Sequence, residues 1–289
     1  MIMKNRWIGL IVGLIVLTGC NKQDIDKPVV TLNIDISKLN QQRTVTKNMI
    51  NFKDDDQGKH DLLMLMINSV DYYNLVSGEM KVTSTYLDNI SNLEYEFQIN
   101  IPEYKSYVYQ ISSNSHSEQV MIRDSEKMYF FTGDRQDLEN LTLNELIEKK
   151  QISIEEINRD NNIFKFMDWS LTDRVEDSNI SRVANDLYGD VAPYLFPEDI
   201  ALRQLGIDYS SFTIENKTKF LDRVVFRVEG KINNDLYTEG GTISMLIDQQ
   251  TGIVLEYIRN SNNSRVEMKM ESISIDSDNE IDLYNKYIK

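Results

Sequence analysis

The chain has 289 residues, with 46 acidic against 31 basic side chains and a formal net charge of −15. So acidic a balance leaves no basic patch to neutralise phosphates, which excludes nucleic acid as a partner and electrostatic attachment to anionic headgroups. Hydrophobic residues make up 41% of the chain, enough for a packed core, and only 4 Pro and 12 Gly exclude a collagen-like or linker-dominated chain.

Lys4 and Arg6 precede an apolar run from Trp7 to Leu17, which is followed by Thr18, Gly19 and Cys20. A basic start, a short apolar run and small residues before a cut site are the parts of a secretory signal, here residues 1–19. The run is about 11 residues long where a membrane-spanning helix needs roughly 20. Leu17, Thr18, Gly19 and Cys20 together resemble the bacterial lipoprotein lipobox. The resemblance implies cleavage before Cys20, a covalent diacylglyceryl group on its thiol and a lipid anchor at the extracytoplasmic face of the cell membrane. Two acyl chains hold a protein to a bilayer stably where one does not. Cys20 is the only cysteine, which excludes disulfides, zinc–thiolate clusters and cysteine nucleophiles. No cofactor or metal is expected beyond that lipid.

Residues 20–60 are mostly polar and read as a lipidated tether, with one short alternating segment at 29–36. Asp61 is placed to cap a helix over 62–76, in which Leu62, Leu65, Met66, Ser69, Tyr72, Tyr73 and Val76 share a face. After Gly78 the period changes from about 3.6 to 2. Alternation predicts strands over 79–87, 93–101, 104–112, 118–123 and 127–132. The second is the cleanest, with apolar Leu93, Tyr95, Phe97, Ile99 and Ile101 separated by polar residues. Between 133 and 211 the alternation stops, and helical spacing appears at 141–150, 154–158 and 178–187, with Pro197 able to start 198–205. Alternation returns over 212–217, 223–232, 242–247, 253–259 and 265–275, with turns at 248–252 and 260–264. Short connections between half-dry strands make an antiparallel meander. The expected fold is α+β: a curved, open antiparallel sheet of about ten strands in one domain over 61–289. An N-terminal helix and the helical insertion at about 133–211 would cover its concave side.

The segment from Asp222 to Gly230, the segment from Ile243 to Tyr257 with its Asp248-Gln249-Gln250-Thr251-Gly252 turn, and Tyr194-Leu195-Phe196-Pro197 before a helix resemble the LolA-like superfamily of lipoprotein localisation factors. The resemblance covers roughly residues 61–275. It implies a half-barrel whose concave face binds a hydrophobic ligand, an acyl chain or a lipoprotein. Other lipid-anchored relatives of this fold bind cell-envelope enzymes or signalling proteins. Soluble carriers of the family lack a lipobox, so Cys20 argues against a shuttle.

The residues that could carry chemistry are few. His60 and His116 are the only histidines, and each stands in a polar run rather than in a Ser/His/Asp relay. No Gly-x-Ser-x-Gly elbow, phosphate-cradling loop or His-Glu-x-x-His motif occurs. Asp54-Asp55-Asp56 and the acidic stretch from Asp276 to Glu280 lack the glycine and bidentate glutamate of a calcium loop and read as solvated turns. Glu94 and Glu96 share the wet face of one strand and read as surface charge rather than a glycosidase pair. Trp169, the one tryptophan beyond the signal, reads as buried in the insertion or as a lid or partner anchor. The strands carry large soft groups at Tyr107, Tyr109, Met128, Phe130, Phe226, Met245, Met268 and Met270. These either line a concave face adaptable to an acyl chain or form a filled core beneath the helices. The expected protein is a non-enzymatic, lipid-anchored binder of a hydrophobic ligand. The alternative is an interaction or regulatory module with a filled cavity that docks an envelope protein.

Overall fold

The computed structural model describes residues 52–115, 117–133, 135–149, 151–157, 182–183, 188–206, 208–232 and 240–277. The signal segment, Cys20, the strand-like 29–36, His116 and Trp169 lie outside the described residues, as does the helix expected at 178–187 except for Arg182 and Val183.

Helix α1 (Asp56–Ile67) begins within the stretch expected to be tether. Its N-cap is Asp55, whose carboxylate accepts the Gly58 amide at 2.8 Å, and not Asp61, which lies inside the helix. A Cβ on Gly58 would stand 2.1 Å from the Lys53 carbonyl oxygen, so glycine permits the chain to fold back before the helix. Phe52 is 5% exposed and meets Phe226 edge-on at 5.0 Å, which fixes that fold-back to the sheet. After Ile67 the chain tightens into a 3₁₀ turn at Ser69–Asp71 and leaves helical geometry, so Val76 belongs to the first strand.

Among the described residues eleven strands follow: β1 (Leu75–Tyr86), β2 (Asn89–Asn100), β3 (Lys105–Ser112), β4 (Glu118–Arg123), β5 (Lys127–Thr132), β6 (Ile152–Glu156), β7 (Phe212–Phe220), β8 (Arg223–Ile232), β9 (Gly241–Asp248), β10 (Val254–Asn260) and β11 (Ser264–Ile275). They form one open antiparallel sheet in the order β6-β5-β4-β3-β2-β1-β11-β10-β9-β8-β7. β6 corrects the helix expected over 154–158: Ile152 pairs with Phe131 and Glu156 with Lys127. Ile152, Ser153 and Ile154 alternate, and the five residues gain ladder bonds against β5 at once, whereas so short a helix would barely repay its nucleation.

The order explains the core. β1 to β6 walk outward from the centre, β7 to β11 walk inward from the far edge, and β1 closes the seam against β11 from Val76↔Ile275 to Tyr86↔Ser264. The chain must therefore travel from one edge of the sheet to the other between β6 and β7. Residues 188–206 and 208–211 of that connection lie on the same face as α1 and seal the main core, with Val191, Leu195, Phe196, Ile200 and Leu205 all buried. The earlier part of the insertion serves the opposite face. Helices α2 (Arg135–Asn140) and α3 (Leu143–Glu148) precede β6, and Leu146 of α3 closes a smaller core with Tyr107, Val120, Ile122, Tyr129 and Phe131.

The Asp248-to-Gly252 turn locks α1 to the sheet. The buried Asp248 carboxylate accepts the Thr251 amide at 2.9 Å and hydroxyl at 2.6 Å, and Arg223 Nε donates to it at 2.8 Å. Gly252 has φ +76°, and a Cβ there would lie 2.6 Å from the Leu65 carbonyl oxygen of α1. Only glycine meets both the backbone conformation and the close approach.

Candidate functional site

Side chains of directly paired residues in adjacent strands point to the same face of a sheet. The register therefore traces one row across seven strands: Leu93, Val82, Met268, Tyr257, Met245, Val228 and Ile214. From Val82 onward every member is at most 9% exposed. At a strand spacing of about 4.8 Å the row is roughly 29 Å long. Met80 and Met270 flank it as a second pair, both fully buried.

Of the eight large soft residues singled out from the sequence, Met245 and Met268 lie in this row, and Met270 and Phe226 are buried on the same face. Met128 and Phe130 also face that side, beside Met121. Tyr107 and Tyr109 do not join them. They pair with Ile122 and Val120 and belong to the small core on the opposite face, because Val108 between them takes the concave side.

The roof over the row is built of short pieces: a 3₁₀ turn at Gly189–Val191, the four-residue helix α4 (Ala192–Leu195) and a π-helical turn at Ile200–Leu205. Tyrosine hydroxyls fasten it. Tyr73 donates to the Leu195 carbonyl at 2.6 Å, Tyr95 of β2 to Asp190 at 2.9 Å, and Tyr257 of β10 to Gln204 at 2.8 Å. Tyr194 meets the Tyr257 ring at 5.6 Å, and Phe196 lies between Tyr73 at 6.0 Å and Tyr188 at 5.3 Å. Burial pushes the phenols of Tyr95 and Tyr194 above the ordinary tyrosine range, and the Asp190 carboxylate adds to the rise at Tyr95.

Arg123, at the end of β4, went unnoticed in the sequence, although it shares strand parity with Met121 and so must point inward. It is fully buried, and its guanidinium carbon lies 4.7 Å from the Tyr188 ring centre. Among the described residues none of its three nitrogens has a hydrogen-bond acceptor. Its cross-strand partner Ser106, 1% exposed, likewise has an unpaired hydroxyl. A cation–π contact is worth about 2 kcal/mol when desolvated, against an effective cost of several kcal/mol for burying an unpaired ion.

The other candidates stay apart from this face. His60 Nδ1 lies 3.2 Å from the Tyr209 hydroxyl on α1's outer side. Glu94 faces Lys81 at 3.7 Å and, with Glu79, Glu96 and Glu271, lines a shallow groove on the opposite face. Among the described residues no three His, Cys, Asp or Glu side chains converge as metal ligands. No helix among them is long and apolar enough to cross a membrane.

Sheet and roof together define an α+β protein with a curved, open antiparallel sheet wrapped on one side around its helices, the half-barrel layout. No protein-family model and no curated protein matches the sequence. Among solved structures, the chain is similar to the MucA/MucB complex of Pseudomonas aeruginosa at 7% identity and TM-score 0.36, over 76% of this chain and 57% of that one. It thus spans little more than half the length of that neighbour. It is similar to LprF of Mycobacterium bovis at 9% identity and TM-score 0.33, over 74% of this chain and 92% of that one. A third neighbour is the lipoprotein LppX of Mycobacterium tuberculosis, at 9% identity and TM-score 0.29, over 75% of this chain and 95% of that one. At values this low no residue role passes from these chains to this one.

Proposed function

We propose that the chain is a non-enzymatic, extracytoplasmic lipoprotein, held to the membrane through Cys20, that binds the acyl part of a hydrophobic ligand along its concave face. The observation that carries this reading is the continuous row from Val82 to Ile214, broad, apolar and centred on methionines. Methionine side chains adapt to guests of irregular shape. Entry would part the roof from the sheet and from the end of α1, which breaks the Tyr95 and Tyr257 hydrogen bonds and the Tyr73 and Ser69 bonds to the Leu195 carbonyl.

A second reading is favoured by the packing itself. Phe226, Met245, Met268 and Met270 are at most 2% exposed beneath α1 and the crossing turns, as expected of an interaction module whose cavity is filled by its own core. Native mass spectrometry of the full-length protein isolated from membranes, followed by solvent extraction, separates the two. One acyl lipid per chain supports ligand binding. A clean apoprotein mass from cells in which an envelope protein co-purifies stoichiometrically supports the interaction module.

A further inference from the structure

Among the described residues, two arginines in the body of the protein each carry a carboxylate. Arg182, with a fully buried side chain, is bridged to Asp71 at 2.6 Å, and Arg223, partly buried, is bridged to Asp248 at 2.8 Å. Arg123 is as buried as Arg182 and, among the described residues, has only the Tyr188 ring. Its strand neighbours on the two sides are Ser106 and Met128, neither of them acidic. The adjacent Asp124 spends a carboxylate oxygen on the amides of Glu126 and Lys127 in the β4–β5 turn. A guanidinium does not shed its charge to escape burial, and its planar fork matches an oxyanion bidentately.

We propose that Arg123, with the Ser106 hydroxyl beside it and Tyr188 closing over it, receives a carboxylate or phosphate oxyanion. The anion is either the charged end of an amphiphile whose chain lies along the concave face or a free anion. Arg123 is buried on the same side of the sheet as the apolar row but level with Ile99, six residues and roughly 20 Å along β2 from Leu93, so a chain held at Arg123 meets Val108 and Phe97 before it meets the row. The amphiphile source rests on the acyl-binding reading, whereas the oxyanion site does not.

The test titrates the full chain in non-ionic maltoside micelles, with empty micelles as blank, against decanoate, decanol and inorganic phosphate. It uses the natural protein, Arg123→Met, Arg123→Lys and Ser106→Ala. Decanoate is expected to bind at least tenfold more tightly than decanol. Arg123→Met should erase that preference and leave decanol binding unchanged, Arg123→Lys should restore part of it, and Ser106→Ala should reduce it. Without ligand, Arg123→Met should melt no lower than the natural protein, because an uncompensated buried cation is replaced by an apolar side chain of similar length. Phosphate raising the melting temperature of the natural protein but not of Arg123→Met, with neither decanoate nor decanol bound, supports the site with a free anion and sinks the acyl reading. Equal binding of decanoate and decanol keeps the acyl reading and overturns the oxyanion site. No anion effect together with a large loss of melting temperature in Arg123→Met also overturns it, since the arginine would then be a structural member of the core.

Discussion

Arg182 grips Asp71 with both arms of its guanidinium, Nη1 to Oδ2 at 2.6 Å and Nη2 to Oδ1 at 2.7 Å. The same Nη1 donates to Asn68 Oδ1 at 2.9 Å, and the Arg182 backbone amide donates to Glu198 at 2.9 Å. One residue of the long connection thereby fastens the end of α1 to the roof of the concave face. Arg182→Ala should cost roughly 3 kcal/mol in urea unfolding. The value is at the low end for a broken buried pair because the Asp71 side chain keeps 22% exposure and regains some hydration. A loss under about 0.5 kcal/mol would mean that the bridge does not hold the roof.

Gly252→Ala tests the contact between α1 and the β9–β10 turn. The substitution imposes a side chain at φ +76° and places its Cβ 2.6 Å from a helix carbonyl oxygen. A loss of roughly 2–4 kcal/mol is expected from backbone strain and overpacking together. Gly206→Ala is the control: its φ is +63°, but its nearest neighbour would be at 3.8 Å, so it should lose only the strain part.

Asp54 accepts the Ile214 amide of β7 at 3.0 Å and faces Lys59 at 3.2 Å. That amide bond above all holds its carboxyl below the usual value of 3.8. A depressed folded-state value means that the bond's stabilisation is full at pH above the unfolded value and disappears as pH falls through the folded one. With the side chain 44% exposed, Asp54→Asn should cost no more than about 1 kcal/mol at pH 7, shrinking as the pH is brought below the usual 3.8. Urea midpoints of both proteins at the two pH values check this. A difference independent of pH would remove Asp54 as the titrating group.

Tyr95 and Tyr194 should not ionise while the roof is closed. Their values are raised by burial, so the folded state keeps its phenolic protons where the unfolded chain loses them. Their contribution is complete below pH of about 10 and is lost as pH rises above it. In an alkaline titration followed by tyrosinate absorbance, these residues should ionise only with cooperative unfolding. Tyr95→Phe should remove one group from that late step and cost no more than about 1 kcal/mol, because the exposed Asp190 carboxylate regains water. Free ionisation near pH 10 with the fold intact would show that the roof opens easily.

Cys20→Ser tests the anchor. Loss of lipid label, with the signal left uncleaved or the protein released from membranes, is the expected result. Normal processing with unchanged membrane retention would overturn the lipobox assignment.

Much of the sheet was legible in the sequence, because alternation is a local property of the chain. The strands at 118–123, 127–132 and 223–232 begin and end where the alternation places them. The start of α1 was not legible. Three consecutive aspartates offer equivalent caps, and the choice of Asp55 depends on Phe52 docking on Phe226, which is distant in sequence. Alternation also assigns residues to two faces without saying which is concave, so Tyr107 and Tyr109 could not be separated from Met245 and Met268.

By itself the sequence determined the antiparallel class of the sheet, its meander and its central pause, since each depends on periods and turns within about ten residues. The tertiary structure alone decided which face the connection from β6 to β7 crosses, and with it the burial of Arg123. An arginine closing a strand ordinarily ends in water. Here Tyr188, 65 positions along the chain, is folded back over it, and a contact made by chain return leaves no trace in local pattern.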